Sequence, residues 1–174
     1  MLTFTERLSE HGYTPTHVVS LPFELRQRSR LRCSDAAGEE LALMLSRGGV
    51  LRNGDLLRSE SGQILRIEAA AETVSVVHST DAFALCRAAY HLGNRHIPLE
   101  IAAGRLAYLH DHVLDDMVRT LGFPVATELA RFEPEPGAYG GHSHRHGDHD
   151  ADAHADHHHE AHGDLHHHED PSER

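Results

Sequence analysis

The sequence predicts an α+β protein, and three observations predict it. Short runs with period-two alternation fill roughly the first 70 residues, two stretches of 3.6-residue periodicity follow between Glu72 and Phe132, and the final part of the chain has neither pattern. At 174 residues the chain could hold one ordinary domain or two small ones. Patterning favours a small N-terminal β domain over 1–72, a second domain over 73–137 and a tail over 138–174.

In the first part, THVVSL, FELRQRSRLRC, EELALML and QILRIEA read as strands, because they are rich in alternating or β-branched residues. Turn signals separate them at DAAG, SRGG, RNGD and ESG. Within ELALML, Leu41, Leu43 and Leu45 share one face while Ala42 and Met44 share the other. Asn53-Gly54-Asp55 suits a tight hairpin turn, since Asn and Gly tolerate positive φ. Several short strands at this spacing predict a small barrel or sandwich. The first dozen residues, MLTFTERLSEHG, are assigned no element.

The rhythm changes near Glu72. TVSVVHS reads as a strand, and Thr80 or Asp81 can cap a helix through DAFALCRAAYHL, whose Leu85, Ala88, Ala89 and Leu92 recur at helical spacing. Gly93 stands where a left-handed residue commonly ends a helix. IPLEIA and RLAYLH follow as strands around a turn at Ala103-Gly104. Asp111 can cap a second helix with Leu114, Met117, Val118 and Leu121 on one stripe; Gly122 ends it, Pro124 bars its continuation, and VATELARF forms a last strand. The order β-α-β-β-α-β is the ferredoxin-like arrangement.

After Phe132 the chain passes through EPEPGAYGG into a histidine-rich tail that contains 12 of the 19 histidines. From Ala138 onward the balance of charges is −7, against −4 for everything before it. Little there can be buried in return for the entropy of ordering, so the tail is expected to be disordered without a ligand.

These balances exclude whole classes of function. The body is close to neutral and the tail acidic, whereas phosphate backbones are gripped by clustered basic charge, so nucleic acid is not expected as the main partner; there is no lysine, and every basic charge is a guanidinium. Cys33 and Cys86 are too few and too isolated for a disulfide framework or a CxxC site. The N-terminus lacks a signal-peptide pattern and no apolar run approaches about 18 residues, which predicts a cytoplasmic protein with no membrane span. GxSxG, GxxxxGK[ST], HExxH and GxGxxG are all missing, so an enzyme is not expected.

The chemistry lies in the histidines, because neutral imidazole is the commonest side-chain metal ligand and suits nickel, zinc and copper. The tail supplies His142, His144, His146, His149, His154, His157, His158, His159, His162, His166, His167 and His168, with aspartates interleaved. Their number provides capacity for a few ions rather than one fixed geometry. A purification tag is a plain run, whereas this segment is irregular and acidic.

His96, directly after Gly93-Asn94-Arg95, is different in kind. By spacing alone, one histidine at a helix end is more often a capping or surface residue than a ligand, and one imidazole cannot hold an ion tightly. A twofold dimer would turn one copy per chain into a pair. His110 and His112 flank Asp111; in extended backbone they would share a face, and if the helix begins at His112 they diverge. Two histidines at a solvated edge are as common as two ligands. His11, His17, His78 and His91 read as ordinary surface or core residues.

Taken together, AYHLGNRHIPLEI (89–101), DHVLDDMVRTLGFPV (111–125) and FEPEPGAYGGHSHRHG (132–147) resemble the UreE family of urease accessory proteins. RQRSRLR (26–32) and LSRGGVLRNGDLLRSESGQILRIEAA (45–70) resemble that family's N-terminal domain. The resemblance implies a nickel metallochaperone that is a homodimer through its second domain, with His96 of each subunit meeting at the axis to bind one Ni(II). It implies urease apoprotein and the urease accessory GTPase as partners. His110 and His112 match ligand positions present in some members. Zn(II) or Cu(II) would also bind such ligands, since affinity along the first-row series peaks at copper. The alternative is a passive metal buffer working through the tail.

Overall fold

The computed structural model describes residues 1–10 and 12–136. The tail histidines and the expected disorder of 138–174 lie outside the described residues.

Ten strands and three helices make an α+β architecture of two sheets among the described residues. In the first sheet are β1 (Leu2–Arg7), β2 (His17–Leu21), β3 (Arg30–Ser34), β4 (Glu40–Met44), β5 (Leu56–Ser59) and β6 (Ile64–Ala69). They lie in the order β2-β6-β5-β1-β4-β3. β1 runs parallel to β4 and β2 parallel to β6, while the remaining pairs are antiparallel.

Alternation explains the burial in this sheet. Leu41 and Leu43 are fully buried and Leu45 packs against the same core, whereas on the other face Met44 opens to solvent and only the small Ala42 is covered. Phe4, Val19, Leu57, Leu65 and Ile67 complete that core. Fully burying side chains of this size contributes about 1.5–3 kcal/mol each.

Three expectations for this part need correction. The N-terminal residues, given no element from sequence, form the strand β1 near the middle of the sheet, with Phe4 fully buried. FELRQRSRLRC is not one strand: Phe23–Arg26 is a single helical turn, α1, and only Arg30–Ser34 is extended. Pro22 starts that turn, its carbonyl accepting from the Leu25 and Arg26 N–H groups. Asn53-Gly54-Asp55 does turn, with Gly54 at φ 90°, but it leads into β5 and does not join two paired strands. The β5–β6 hairpin closes instead at Glu60–Gln63, where Gly62 has φ 82°.

The second sheet contains β7 (Ala71–His78), β8 (Glu100–Ala102), β9 (Arg105–Leu109) and β10 (Ala126–Arg131), in the order β10-β7-β9-β8 with every neighbour antiparallel. Helix α2 (Ala82–Gly93) follows β7 and helix α3 (His112–Thr120) follows β9. The Asp81 carboxylate accepts from the N–H groups of Phe83 and Ala84, and Asp111 does the same for Val113 and Leu114. Both helices bury the stripes their periodicity predicts: Leu85, Ala88 and Leu92 from α2 meet Leu114 and Val118 from α3 over Val77, Leu106 and Tyr108.

The opposite face of this sheet is covered as well. Phe23 packs there with Val74, Val76, Ala107 and Phe132, its ring edge-on to Phe132 at 5.3 Å between centroids. Beside it the guanidinium of Arg26, wholly buried, donates to the carbonyls of Leu21, Leu51 and Phe132 and to Glu133 Oε1. A buried charge is tolerable because each direction of the fork finds an acceptor.

Candidate metal centre

The end of α2 determines how His96 is presented. The His96 N–H donates to the Gly93 carbonyl at 2.8 Å, and the Ile97 N–H reaches back to the Leu92 carbonyl at 3.4 Å. This pair of bonds is a Schellman motif in which the left-handed residue is His96, at φ 56°. The expectation that Gly93 would take that conformation is therefore corrected: Gly93 is the last helical residue and the reversal comes three residues later. The cause is the core, because Ile97 packs against the cluster that holds Leu92, and the six-residue bond spans Leu92 to Ile97. Among the described residues His96 is the one non-glycine residue with positive φ. For an L-residue this conformation costs roughly 1–2 kcal/mol.

His96 is exposed, and the outward face of α2 leading to it is unusually apolar. Phe83 is 73% and Tyr90 65% exposed, seven residues apart on one helical face, with exposed Arg87 between them.

At the start of α3 the helix begins at His112, so the extended backbone that would place His110 and His112 on one face is not present. His110 is nonetheless held. Its Nδ1 lies 3.0 Å from Ser75 Oγ and 3.3 Å from Asp115 Oδ2, while its ring is partly exposed. With Nδ1 protonated, Ser75 Oγ accepts from it beside the Asp115 carboxylate, and the lone pair of Nε2 is left free, the tautomer a metal-binding imidazole needs. Asp115 is itself buried, accepting from the Tyr108 hydroxyl at 2.8 Å. Burial and this carboxylate push the Tyr108 phenol far above its usual range, so it remains a donor. Asp111 is held below the usual carboxylate range by the N–H groups of Leu114 and Val113 that it caps.

Sequence reasoning missed Asp115 and Ser75 as supports. Asp115 lies on a helix among other acids, and only the depth of Tyr108 beneath it marks its carboxylate as interior. The sequence-predicted ligands His96, His110 and His112 are all exposed at the ends of the two helices, and the described residues do not gather the three into one cluster.

The architecture is that of an α+β protein that displays imidazoles at its surface. A family model described as the UreE urease accessory protein, N-terminal domain, matches residues 4–70, and one for the C-terminal domain of the same family matches 72–169. The chain is 56% identical over 141 residues to a urease accessory protein UreE of Alkalilimnicola ehrlichii, covering 81% of this chain and 86% of that one. It is 46% identical over 158 residues to one of Vibrio parahaemolyticus, covering 84% and 99%. A third, from Proteus mirabilis, is 50% identical over 140 residues, covering 80% and 83%. The chain belongs to the UreE family of urease accessory proteins, a family of accessory proteins and not of enzymes. Among the described residues no helix is long and apolar enough to cross a membrane.

Proposed function

We propose that this chain is a cytoplasmic nickel metallochaperone that collects Ni(II) and delivers it to urease apoprotein as the urease metal centre is assembled. Family membership supports a role in urease maturation. The single observation that carries the finer proposal is His96, kept in a left-handed conformation that favours glycine and exposed beyond an apolar helix face.

The proposed unit is a homodimer through the second domain, 73–137, which has the ferredoxin-like connection β7-α2-β8-β9-α3-β10. Phe83 and Tyr90 on α2 supply apolar area for an isologous contact, and twofold symmetry then brings the two His96 imidazoles together. Two imidazoles leave coordination positions for water or for groups of a partner, so the ion is held and still transferable. His110, with its second nitrogen oriented by Asp115, and His112 are proposed as auxiliary ligands, and the tail over 138–174 as the collecting store. Selectivity over Zn(II) and Cu(II) then comes from supply and from the receiving partners, urease apoprotein and the accessory GTPase, rather than from the ligands.

Nickel titration calorimetry with sedimentation analysis tests this on the chain ending at Gly141 and on that chain with His96→Ala. About one ion per dimer, lost with His96, is the expected result. Loss of all nickel binding on removing the tail would refute His96 as the transfer site.

A further inference from the structure

A second group of metal-ligating side chains lies in the first sheet, remote in sequence from His96. The two outer strands of that sheet, β2 and β3, approach one another at a seam where the Ala36 N–H donates to the Val18 carbonyl at 3.2 Å. Here His17 Nδ1 lies 2.9 Å from Asp35 Oδ2 and 3.8 Å from Glu39 Oε2, and one ligand atom from each of the three falls within 4.8 Å of the others. His17 and Asp35 are 12% and 5% exposed, while Glu39 is half open to solvent.

The hydrogen bonds around the cluster decide which atoms point into it. His17 Nε2 lies 2.6 Å from Gln63 Oε1, an acceptor, so Nε2 carries a proton and donates it. In neutral imidazole the lone pair is then on Nδ1, which faces two carboxylates. Asp35 Oδ1 is occupied by the N–H groups of Ala37 and Glu39, which leaves Oδ2 turned toward His17. Lone pairs on Nδ1 and Oδ2 at this separation repel unless a cation lies between them. That cation can be a proton on Nδ1 or a metal ion. Ligand atoms bound at about 2.0–2.2 Å stand about 3 Å apart around one ion, so small movements of Glu39 complete the set. The outer imidazole N–H bonded to a carbonyl is the support that metal-bound histidines commonly have.

We infer that His17 Nδ1, Asp35 and Glu39 form a divalent-cation site of the zinc and nickel class that staples the seam between β2 and the β3–β4 turn. One nitrogen and two carboxylates neutralise the ion, and the exposed side of Glu39 leaves a path for entry and for water to fill the remaining positions. The site is independent of His96 and of dimer formation.

The test uses the full chain with 15N-labelled histidine, titrated with zinc chloride at about pH 8 past the capacity of the 12 tail histidines. His17 is assigned by the signal absent in His17→Gln. The expected result is a shift of Nδ1 to a metal-bound position while Nε2 keeps its proton, with half-saturation moved about tenfold or more higher in Glu39→Gln. Glu39 is half exposed, so that variant keeps its fold. A His17 ring that stays unchanged or doubly protonated through the zinc excess overturns the site. So does an identical response in Glu39→Gln.

Discussion

Two regions of the molecule treat polar side chains in opposite ways. Where the two sheets meet, Arg26 is fully enclosed and each of its three guanidinium nitrogens has an acceptor, two of the acceptors being backbone carbonyls from distant parts of the chain. At the end of α2, His96 is exposed and sits in a conformation its own backbone disfavours. Arg26 is positioned to hold the fold, whereas His96 costs the fold something, which points to retention for what it can bind. Substitution should separate the two regions by both size and sign.

The largest effect is expected at Arg26. Arg26→Ala removes a buried cation and strands the carbonyls of Leu51 and Phe132, while that of Leu21 keeps the Ala70 N–H, so unfolding in urea should reveal a loss of about 3–5 kcal/mol. A loss below about 1 kcal/mol would mean that water replaces the guanidinium and that the junction is not closed.

An intermediate effect is expected at Asp111. Asp111→Ala frees the N–H groups of Val113 and Leu114 and should cost about 1 kcal/mol, with a smaller change in nickel affinity as the start of α3 loosens near His110. His110 should respond more directly to Asp115→Asn, which keeps the shape of the side chain and removes its charge. Nickel binding should weaken about 10–100-fold if His110 is a ligand and not at all if it is not.

The opposite sign is expected at His96. His96→Gly relieves the left-handed strain and, after the greater freedom of glycine in the unfolded chain, should leave the fold unchanged or a few tenths of a kcal/mol more stable. The same variant should lose the nickel bound by the chain without its tail. Stability that fell by more than about 1 kcal/mol would place His96 with Arg26 as a structural residue.

The smallest expected effect is a slope with pH in the metal-free protein. The Asp35 carboxylate, above all, raises His17 above its ordinary value of 6.5, and His17 in turn lowers Asp35 below 3.8. Gln63 and Glu39 also face the imidazole and raise it, and the Phe4 ring meets its edge at 6.1 Å. The raised histidine contributes fully below pH 6.5, and its contribution is lost as pH rises through the elevated value. The lowered carboxylate contributes fully above 3.8 and is lost as pH falls through its depressed value. This pair is therefore strongest between about pH 4 and 6.5, and denaturation in chelator should show a decline above that window that His17→Gln lacks.

Much of the second sheet was legible in the sequence because its signals are local. Asp81 and Asp111 cap helices whose apolar stripes lie within a few turns, and Gly104 and Gly122 take the positive φ of the turns they occupy. Less of the first sheet was legible. β1 pairs with β4 and β5, some 40 to 55 positions away, and its only strong local mark is Phe4. The helical turn at Phe23–Arg26 interrupts what reads as a continuous alternating run. Its burial depends on Phe132 and Glu133, more than 100 residues later.

By itself the sequence determined the α+β class, the caps, the helical stripes and the concentration of imidazole, since each depends on neighbours within about one or two turns of chain. Only tertiary structure decided that the reversal after α2 falls on His96 and not on Gly93, that Arg26 and Asp115 are interior, and that His17 meets Asp35 and Glu39. The physical reason is common to these cases. A left-handed residue, a buried charge or a shared proton is tolerated when groups far away in sequence supply the packing or acceptors that offset its cost, and no local pattern records where those groups will be.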